Sequence, residues 1–111
     1  MFFGTTKYKR ISVEEARALM EAGEAAVFDM RDEASYSQAH IEGAKRISDA
    51  NLGDVLTSLP KDRSVLIYCY RGKGSRTYAQ TFVDFGFSDV YSMDGGFNAW
   101  RASGPEVQAA G

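Results

Sequence analysis

The chain alternates between short apolar runs and longer segments in which apolar residues recur every three or four positions. The runs contain β-branched and aromatic residues and have the length of strands, whereas the longer segments have the periodicity of one helix face. The predicted strands cover about residues 10–12, 25–30, 45–47, 65–68 and 89–93. The predicted helices occupy the segments 12–23, 33–39, 49–59, 75–86 and 97–100. This alternation predicts an α/β fold, with a central parallel sheet of about five strands and helices on both faces.

Capping residues predict several of the helix ends. Ser12 stands three residues before a glutamate, which is the spacing of a capping box. We expect Asp49 or Asn51 to cap the helix that ends before the first proline. We expect Ser75 to cap the helix that follows the central strand, and Gly86 to end it.

A continuous apolar run in the middle of the chain ends at the only cysteine. Residues 65–68 read Val-Leu-Ile-Tyr, which is typical of a parallel strand buried on both faces, and Cys69 follows. The next residues include Gly72 and Gly74, which tolerate the positive φ angles of a tight loop. Helical periodicity resumes at residue 75. The pattern predicts a strand, a tight loop and a helix, with Cys69 at the carboxyl end of the strand.

The loop after the cysteine is rich in cations. Arg71, Lys73 and Arg76 lie in or beside it, and no carboxylate occurs between Asp62 and Asp84. The whole chain has a net charge of −2, so this local excess of positive charge is informative. The N–H groups of a helix N-terminus and of a glycine-rich turn also favour negative charge. We therefore predict that this loop binds an anion.

The same surroundings favour the thiolate form of Cys69. A free thiol has a pKa of about 8.5, and helix N-termini and neighbouring cations lower that pKa. The alternative is a structural cysteine, since free cysteines are often small buried core residues. A core cysteine does not need a glycine-rich, cationic loop over it. We therefore interpret Cys69 as a nucleophile whose substrate is an anion.

Three segments carry a resemblance to a known family. The loop CYRGKGSR resembles the active-site loop of rhodaneses, the thiosulfate sulfurtransferases. Residues 27–44, VFDMRDEASYSQAHIEGA, and residues 92–100, SMDGGFNAW, are similar to the flanking signatures of that family. The resemblance implies a single rhodanese domain over residues 1–111, with a core at about 11–103 and short flexible ends.

The resemblance also implies a reaction in two steps. Cys69 would take the outer sulfur of thiosulfate as a persulfide and pass it to cyanide or a thiol, in a ping-pong mechanism without a cofactor. The residues that would bind the substrate are Tyr70, Arg71, Gly72, Lys73, Gly74 and Ser75. Gly74 occupies a position where other members of the family carry Arg, Ser or Thr, so this chain departs from the family pattern there.

Two other classes compete with this interpretation. Cysteine-dependent phosphatases and arsenate reductases also use an anion-binding loop, but theirs has His before the cysteine and Arg six residues after it. Here Tyr68 and Ser75 stand at those positions. The second alternative is a module that relays sulfur from a protein persulfide donor or to a protein acceptor, which fold similarity does not separate from an enzyme.

Three further polar residues are expected to be structural. Asp29 and Arg31 follow a predicted strand and are interpreted as an ion pair that holds the loop. His40 is interpreted as a hydrogen-bonded structural group, because no catalytic partner is identifiable. With one cysteine and one histidine in the chain, we do not expect a metal centre.

Composition narrows the classes of partner. The chain has 111 residues, of which 44% are hydrophobic and 25% charged, as in an ordinary globular domain. Its net charge of −2 argues against a nucleic-acid-binding or membrane-surface protein. No segment has the apolar length of a secretory signal or a membrane span. We expect a cytoplasmic protein.

Overall fold

A computed structural model of the protein describes residues 7–104. Within them, five strands form one sheet in the order β1-β5-β4-β2-β3, and every neighbouring pair is parallel. The strands are β1 (Lys9–Ile11), β2 (Ala25–Asp29), β3 (Lys45–Arg46), β4 (Ser64–Tyr68) and β5 (Val90–Met93). The helices are α1 (Val13–Glu21), α2 (Glu33–Gln38), α3 (Asp49–Ser58), α4 (Gly74–Asp84) and α5 (Gly96–Ala102). The predicted α/β architecture is confirmed. The predicted extent of one domain, 1–111, includes termini outside the described residues.

The central strand β4 is buried on both faces, as its sequence predicted. Its residues 65–68 have no solvent exposure. Val65 and Ile67 point into an apolar cluster with residues of α3 and α4, and Leu66 and Tyr68 point into a second cluster with residues of α1 and α5. Alternate residues of a strand face opposite sides of a sheet, so each helix layer receives two of these side chains. Burial of one such side chain contributes about 1.5–3 kcal/mol to stability.

The start of α1 agrees with its predicted capping box. The backbone N–H of Glu15 donates to Ser12 Oγ at 3.1 Å, and the N–H of Ser12 donates to Glu15 Oε1 at 2.8 Å. These two bonds satisfy N–H groups that the first turn of a helix leaves unpaired.

The predicted cap of α3 was wrong. The N-cap is Ser48, whose Oγ accepts from the N–H of Ala50, whereas Asp49 is the first helical residue. Asn51 lies one turn inside and its Oδ1 accepts from the N–H of Ser48 at 2.8 Å. The cap therefore lies one residue before the predicted segment 49–59, because a serine-asparagine capping box starts the helix.

The predicted cap of α4 was also wrong. Ser75 is not the N-cap: the helix begins at Gly74, and the cap position is Lys73, which makes no side-chain capping bond. Gly74 does not have a positive φ, whereas Gly72 does, at +90°. The Ser75 side chain points into the protein, where it has other partners, described below.

Helix α4 ends just before the glycine that the sequence predicted, Gly86. Gly86 has a φ of +97°, and its N–H donates to the Val83 carbonyl oxygen at 2.9 Å. The N–H of Phe87 donates to the Phe82 carbonyl oxygen at 3.1 Å, which completes a Schellman motif.

The parallel arrangement brings the carboxyl ends of the strands to one edge of the sheet. At this edge, β2 is followed by Met30, β4 by Cys69 and β5 by Asp94. Ligands of open parallel sheets usually bind at this edge. Among residues 7–104, no helix has the length and apolarity needed to cross a membrane.

Candidate active site

Cys69 lines a surface cavity of about 580 Å³. The residue is 7% exposed, and it comes directly after the buried strand β4. The cavity is lined by Met30, Cys69, Tyr70, Arg71, Lys73, Gly74 and Asn98. Five of these belong to the predicted loop, whereas Met30 and Asn98 come from the ends of other elements and were not predicted.

The loop forms a cradle of hydrogen-bond donors around the sulfur. The backbone N–H groups of Gly72 and Ser75 donate to Cys69 Sγ at 3.1 and 3.3 Å. The Oγ of Ser75 lies 3.5 Å from the same sulfur. The positive φ of Gly72 and the first turn of α4 supply this convergence of N–H groups.

These contacts lower the pKa of the Cys69 thiol below its ordinary value. Burial by itself raises this pKa, but the Ser75 hydroxyl and the backbone N–H groups of Ser75, Arg71 and Gly72 lower it further than burial raises it. The causes are hydrogen bonds within the loop. The neighbouring cations, which we also expected to lower this pKa, do not appear among these causes.

A second serine, which the sequence analysis missed, stands behind the first. Ser92 Oγ lies 2.7 Å from Ser75 Oγ, and both side chains are fully buried. Ser92 belongs to β5, so only the pairing of β4 with β5 brings it near the loop. The one signal in the sequence is a serine within an apolar strand, since a buried hydroxyl requires a hydrogen-bond partner.

Glycines of the turn after β5 pack directly against the cysteine loop. A Cβ added to Gly96 would lie 2.5 Å from the Cys69 carbonyl oxygen and 2.7 Å from the backbone nitrogen of Arg71. A Cβ added to Gly72 would lie 2.7 Å from the backbone nitrogen of Gly95. The two backbones are thus in contact, which only glycine allows.

Helix α5 holds the same loop through its first N–H groups. The N–H of Phe97 donates to the Cys69 carbonyl oxygen at 2.8 Å, and that of Asn98 donates to the Tyr70 carbonyl oxygen at 3.0 Å. The segment 92–100 therefore supports the cysteine loop from behind.

The three loop cations are arranged differently. Arg71 and Lys73 are exposed, line the cavity and make no side-chain hydrogen bond within residues 7–104. Arg76 turns toward the loop, where its Nε donates to the Gly72 carbonyl oxygen at 3.0 Å. Arg71 and Lys73 can therefore bind an anion, whereas Arg76 stabilises the loop.

Tyr70 is held away from the sulfur. Its hydroxyl group donates to Asp32 and is 2.9 Å from Ser35 Oγ, at the start of α2. The hydrogen bond from Tyr70 and the backbone N–H of Ser35 lower the pKa of Asp32 to about 2. The ring of Tyr70, which is 42% exposed, forms one wall of the cavity.

Asp29 and Arg31 form the ion pair expected from the sequence, and it is buried. Arg31 Nη2 lies 2.7 Å from Asp29 Oδ2, with side-chain exposures of 4% and 0%. Arg31 also donates to the Ala39 carbonyl oxygen at 2.6 Å, which ties the ends of β2 and α2 together. Neither residue lines the cavity of Cys69.

His40 has the contacts of a structural residue. Its ring stacks on Tyr36 with centroids 3.9 Å apart, and its Nδ1 donates to the Tyr36 carbonyl oxygen at 2.8 Å. It does not line the cavity of Cys69. Among residues 7–104, no group of three or more His, Cys, Asp or Glu is placed to hold a metal ion.

Comparison with known proteins identifies the family. Residues 12–103 match the model of the rhodanese-like domain. The chain is 42% identical over 106 residues to the thiosulfate sulfurtransferase GlpE of Pseudomonas fluorescens strain SBW25, and the alignment covers 96% of each protein.

Solved structures show the same fold. A rhodanese-like domain protein from Staphylococcus aureus has a TM-score of 0.75 at 27% identity, covering 90% of this chain and 98% of that one. A Rhodopseudomonas palustris protein of unknown function, described as a possible tyrosine phosphatase, has a TM-score of 0.79 at 24% identity. The match covers 91% of this chain and 85% of that one, and the likeness concerns the fold alone. The sequence match and the shared architecture agree with the resemblance of the three motifs, and the chain belongs to the rhodanese-like domain family.

Proposed function

We propose that this protein is a sulfurtransferase that moves the outer sulfur of thiosulfate to cyanide or a thiol through a persulfide on Cys69. Sulfurtransferase activity in general is supported by relatives named thiosulfate sulfurtransferase, at about 40% identity over nearly the whole chain. The observation that carries the mechanism is the cradle, in which two backbone N–H groups and one hydroxyl surround the buried Cys69 sulfur.

In the first step, the Cys69 thiolate attacks the outer sulfur of thiosulfate. A bond forms between Sγ and that sulfur, the bond between the two thiosulfate sulfurs breaks, and sulfite leaves with the electron pair. The outer sulfur becomes the negatively charged end of a persulfide. The N–H groups of Gly72 and Ser75 are preorganised for this charge, since they already point at the sulfur in the resting protein.

The rim of the cavity supplies charge for the substrate. Arg71 and Lys73 carry positive charge, line the cavity and have no competing side-chain partner within residues 7–104. We assign them to orienting thiosulfate and the departing sulfite. Tyr70 and Gly74 line the cavity, and the positive φ of Gly72 accompanies the N–H group that it donates to the sulfur, so that these loop residues shape the substrate site.

The second step returns the enzyme to its starting state. Cyanide or a thiolate attacks the outer sulfur of the persulfide, and the electron pair of the breaking S–S bond returns to Sγ. Donor and acceptor occupy the site in turn, so the kinetics should be ping-pong.

The phosphatase alternative lacks its arginine. Ser75 occupies the sixth position after the cysteine, and its hydroxyl faces Ser92 rather than the cavity. The next cation, Arg76, is bound to the Gly72 carbonyl oxygen. The sulfur-relay alternative retains the same persulfide and differs in its donor or acceptor, which would be a protein.

Intact-protein mass spectrometry before and after incubation with thiosulfate tests the proposal. We expect a gain of one sulfur atom on Cys69, equimolar release of sulfite, and reversal by cyanide or a thiol. Cys69→Ser should take up no sulfur and keep the fold, as judged by circular dichroism.

Each other result has a distinct meaning. Sulfur transfer by Cys69→Ser would overturn the assignment of the nucleophile. No adduct, combined with hydrolysis of an aryl phosphate, would assign the protein to the phosphatases. An adduct formed only from a protein persulfide would support the relay module.

A further inference from the structure

A second cavity adjoins the cavity of the nucleophile. It has a volume of about 400 Å³ and lies between α2, α5 and the loop after β2, where Arg31 and Arg101 line it. Tyr70 and Asn98 line both cavities, so the two share a rim. A ligand in the second cavity can therefore extend over this rim toward Cys69.

The second cavity contains a hydrogen-bond donor of a buried arginine. Nε and Nη2 of Arg31 bind Asp29, and Nη2 also binds Ala39. Nη1 makes no hydrogen bond within residues 7–104. Every fully buried side-chain nitrogen or oxygen in that range has a hydrogen-bond partner, so Nη1 is not fully buried. Nη1 is therefore accessible, and since Arg31 is only 5% exposed and lines this cavity, it is accessible from there.

A second arginine supplies net positive charge. Asp29 neutralises the charge of Arg31, whereas the side chain of Arg101 is exposed and makes no hydrogen bond or ion pair within the described part of the chain. The guanidinium carbons of Arg31 and Arg101 lie 3.9 and 5.7 Å from the centroid of the same ring, that of Phe97. This ring keeps both cations beside the cavity.

The charges and the size indicate an organic anion. Volumes of roughly 300–1,000 Å³ are those of sites for small organic ligands. The cavity of Cys69 already has Arg71 and Lys73 for an inorganic anion, so thiosulfate does not require the second one. Guanidinium donors match the geometry of a carboxylate.

We propose that the second cavity binds the carboxylate of a small organic thiol, which accepts the sulfur from the Cys69 persulfide. This inference rests on the sulfur transfer proposed above. The carboxylate would bind Arg101 and Nη1 of Arg31, and the thiol would extend past Tyr70 and Asn98. Its thiolate attacks the outer sulfur, one S–S bond forms as another breaks, the electron pair returns to Sγ, and no external oxidant is needed.

Steady-state kinetics with two matched acceptors test the site. Glutathione carries two carboxylates, and its diethyl ester carries none but has the same thiol. Arg101→Gln should lower the ratio of kcat/KM for glutathione to that for the ester by roughly three- to tenfold, since a charge-assisted hydrogen bond is lost. Arg101→Glu should lower this ratio further. The matched control Arg63→Gln removes the same charge from the opposite end of β4 and should keep the ratio.

A binding experiment separates this inference from the proposed activity. S-methylglutathione has the carboxylates but no thiol, and it should shift backbone amide NMR signals of the residues around the second cavity, namely 31, 35–39, 70 and 97–101, also in Cys69→Ser. Shifts elsewhere, or an unchanged acceptor ratio in both Arg101 variants, would overturn the acceptor site while the persulfide measured by mass spectrometry still stands. Absence of the persulfide would instead refute the proposed function, and the NMR result would then show whether the cavity binds carboxylates at all.

Discussion

The hydroxyl oxygens of Ser75 and Ser92 lie 2.7 Å apart, although 17 positions separate them in the chain. Ser75 Oγ is also 3.5 Å from Cys69 Sγ, so the three side chains form one buried hydrogen-bond chain. When Cys69 is a thiolate, the Ser75 hydroxyl donates to Sγ and its oxygen accepts from Ser92. Ser92 therefore orients the hydroxyl that stabilises the thiolate.

Replacement of this second serine should raise the pKa of Cys69. In the wild type, hydrogen bonds hold that pKa below its ordinary value, so the rate of alkylation by iodoacetamide should reach its plateau at a lower pH than that of a free thiol. In Ser92→Ala, the plateau should move to higher pH, because Ser75 loses the partner that directs its proton to the sulfur. Ser37→Ala, on the exposed side of α2, should keep the wild-type profile. An identical profile for Ser92→Ala would refute its positioning role.

Removal of a rim cation should weaken the use of thiosulfate. Arg71→Ala and Lys73→Ala should each raise the KM for thiosulfate by roughly two- to fivefold, and the effect should shrink as salt is added, because the attraction is electrostatic and exposed. Lys45→Ala removes one exposed charge on β3 and serves as the control. If both loop variants kept the wild-type KM in low salt, the roles assigned to these cations would be wrong.

A methyl group behind the cysteine loop should disrupt the site. In Gly96→Ala, the added Cβ would stand 2.5 Å from the Cys69 carbonyl oxygen, so the loop must move. We expect loss of sulfur transfer and a decrease of about 1–3 kcal/mol or more in the free energy of unfolding by urea.

Gly23→Ala is the control for Gly96→Ala, because it introduces backbone strain without a steric clash. Gly23 also has a positive φ, of +80°, but its added Cβ would meet nothing within 4 Å. It should lower the free energy of unfolding by about 1–2 kcal/mol and keep the activity. Full activity in Gly96→Ala would contradict the supporting role of this glycine.

The buried ion pair should matter for stability rather than for chemistry. Asp29→Asn leaves the charge of Arg31 uncompensated, which should cost about 3–5 kcal/mol in the free energy of unfolding by urea. Asp94→Asn breaks the exposed pair with Arg10 and should cost much less. Equal losses in the two variants would show that burial does not control the strength of these pairs.

Several features followed from short stretches of the chain. The strand segments, the capping box at Ser12 and the glycine end of α4 at Gly86 agree with their predictions. Each depends on residues within about one helical turn or one strand, so the local pattern contains the relevant information. Local preference was insufficient where two polar residues compete, as at the start of α3, where Ser48 rather than Asp49 is the cap.

The order of strands and helices, the position of Cys69 after a buried strand and the cationic, glycine-rich loop that follows were all readable from the amino-acid sequence. Three features depend instead on the folded chain: Ser75 faces Ser92 and does not cap a helix, Gly96 supports the loop, and Arg31 and Arg101 share a cavity. Such contacts join residues that are distant in the chain, and they form because β4 pairs with β5 in parallel and α5 packs against the loop.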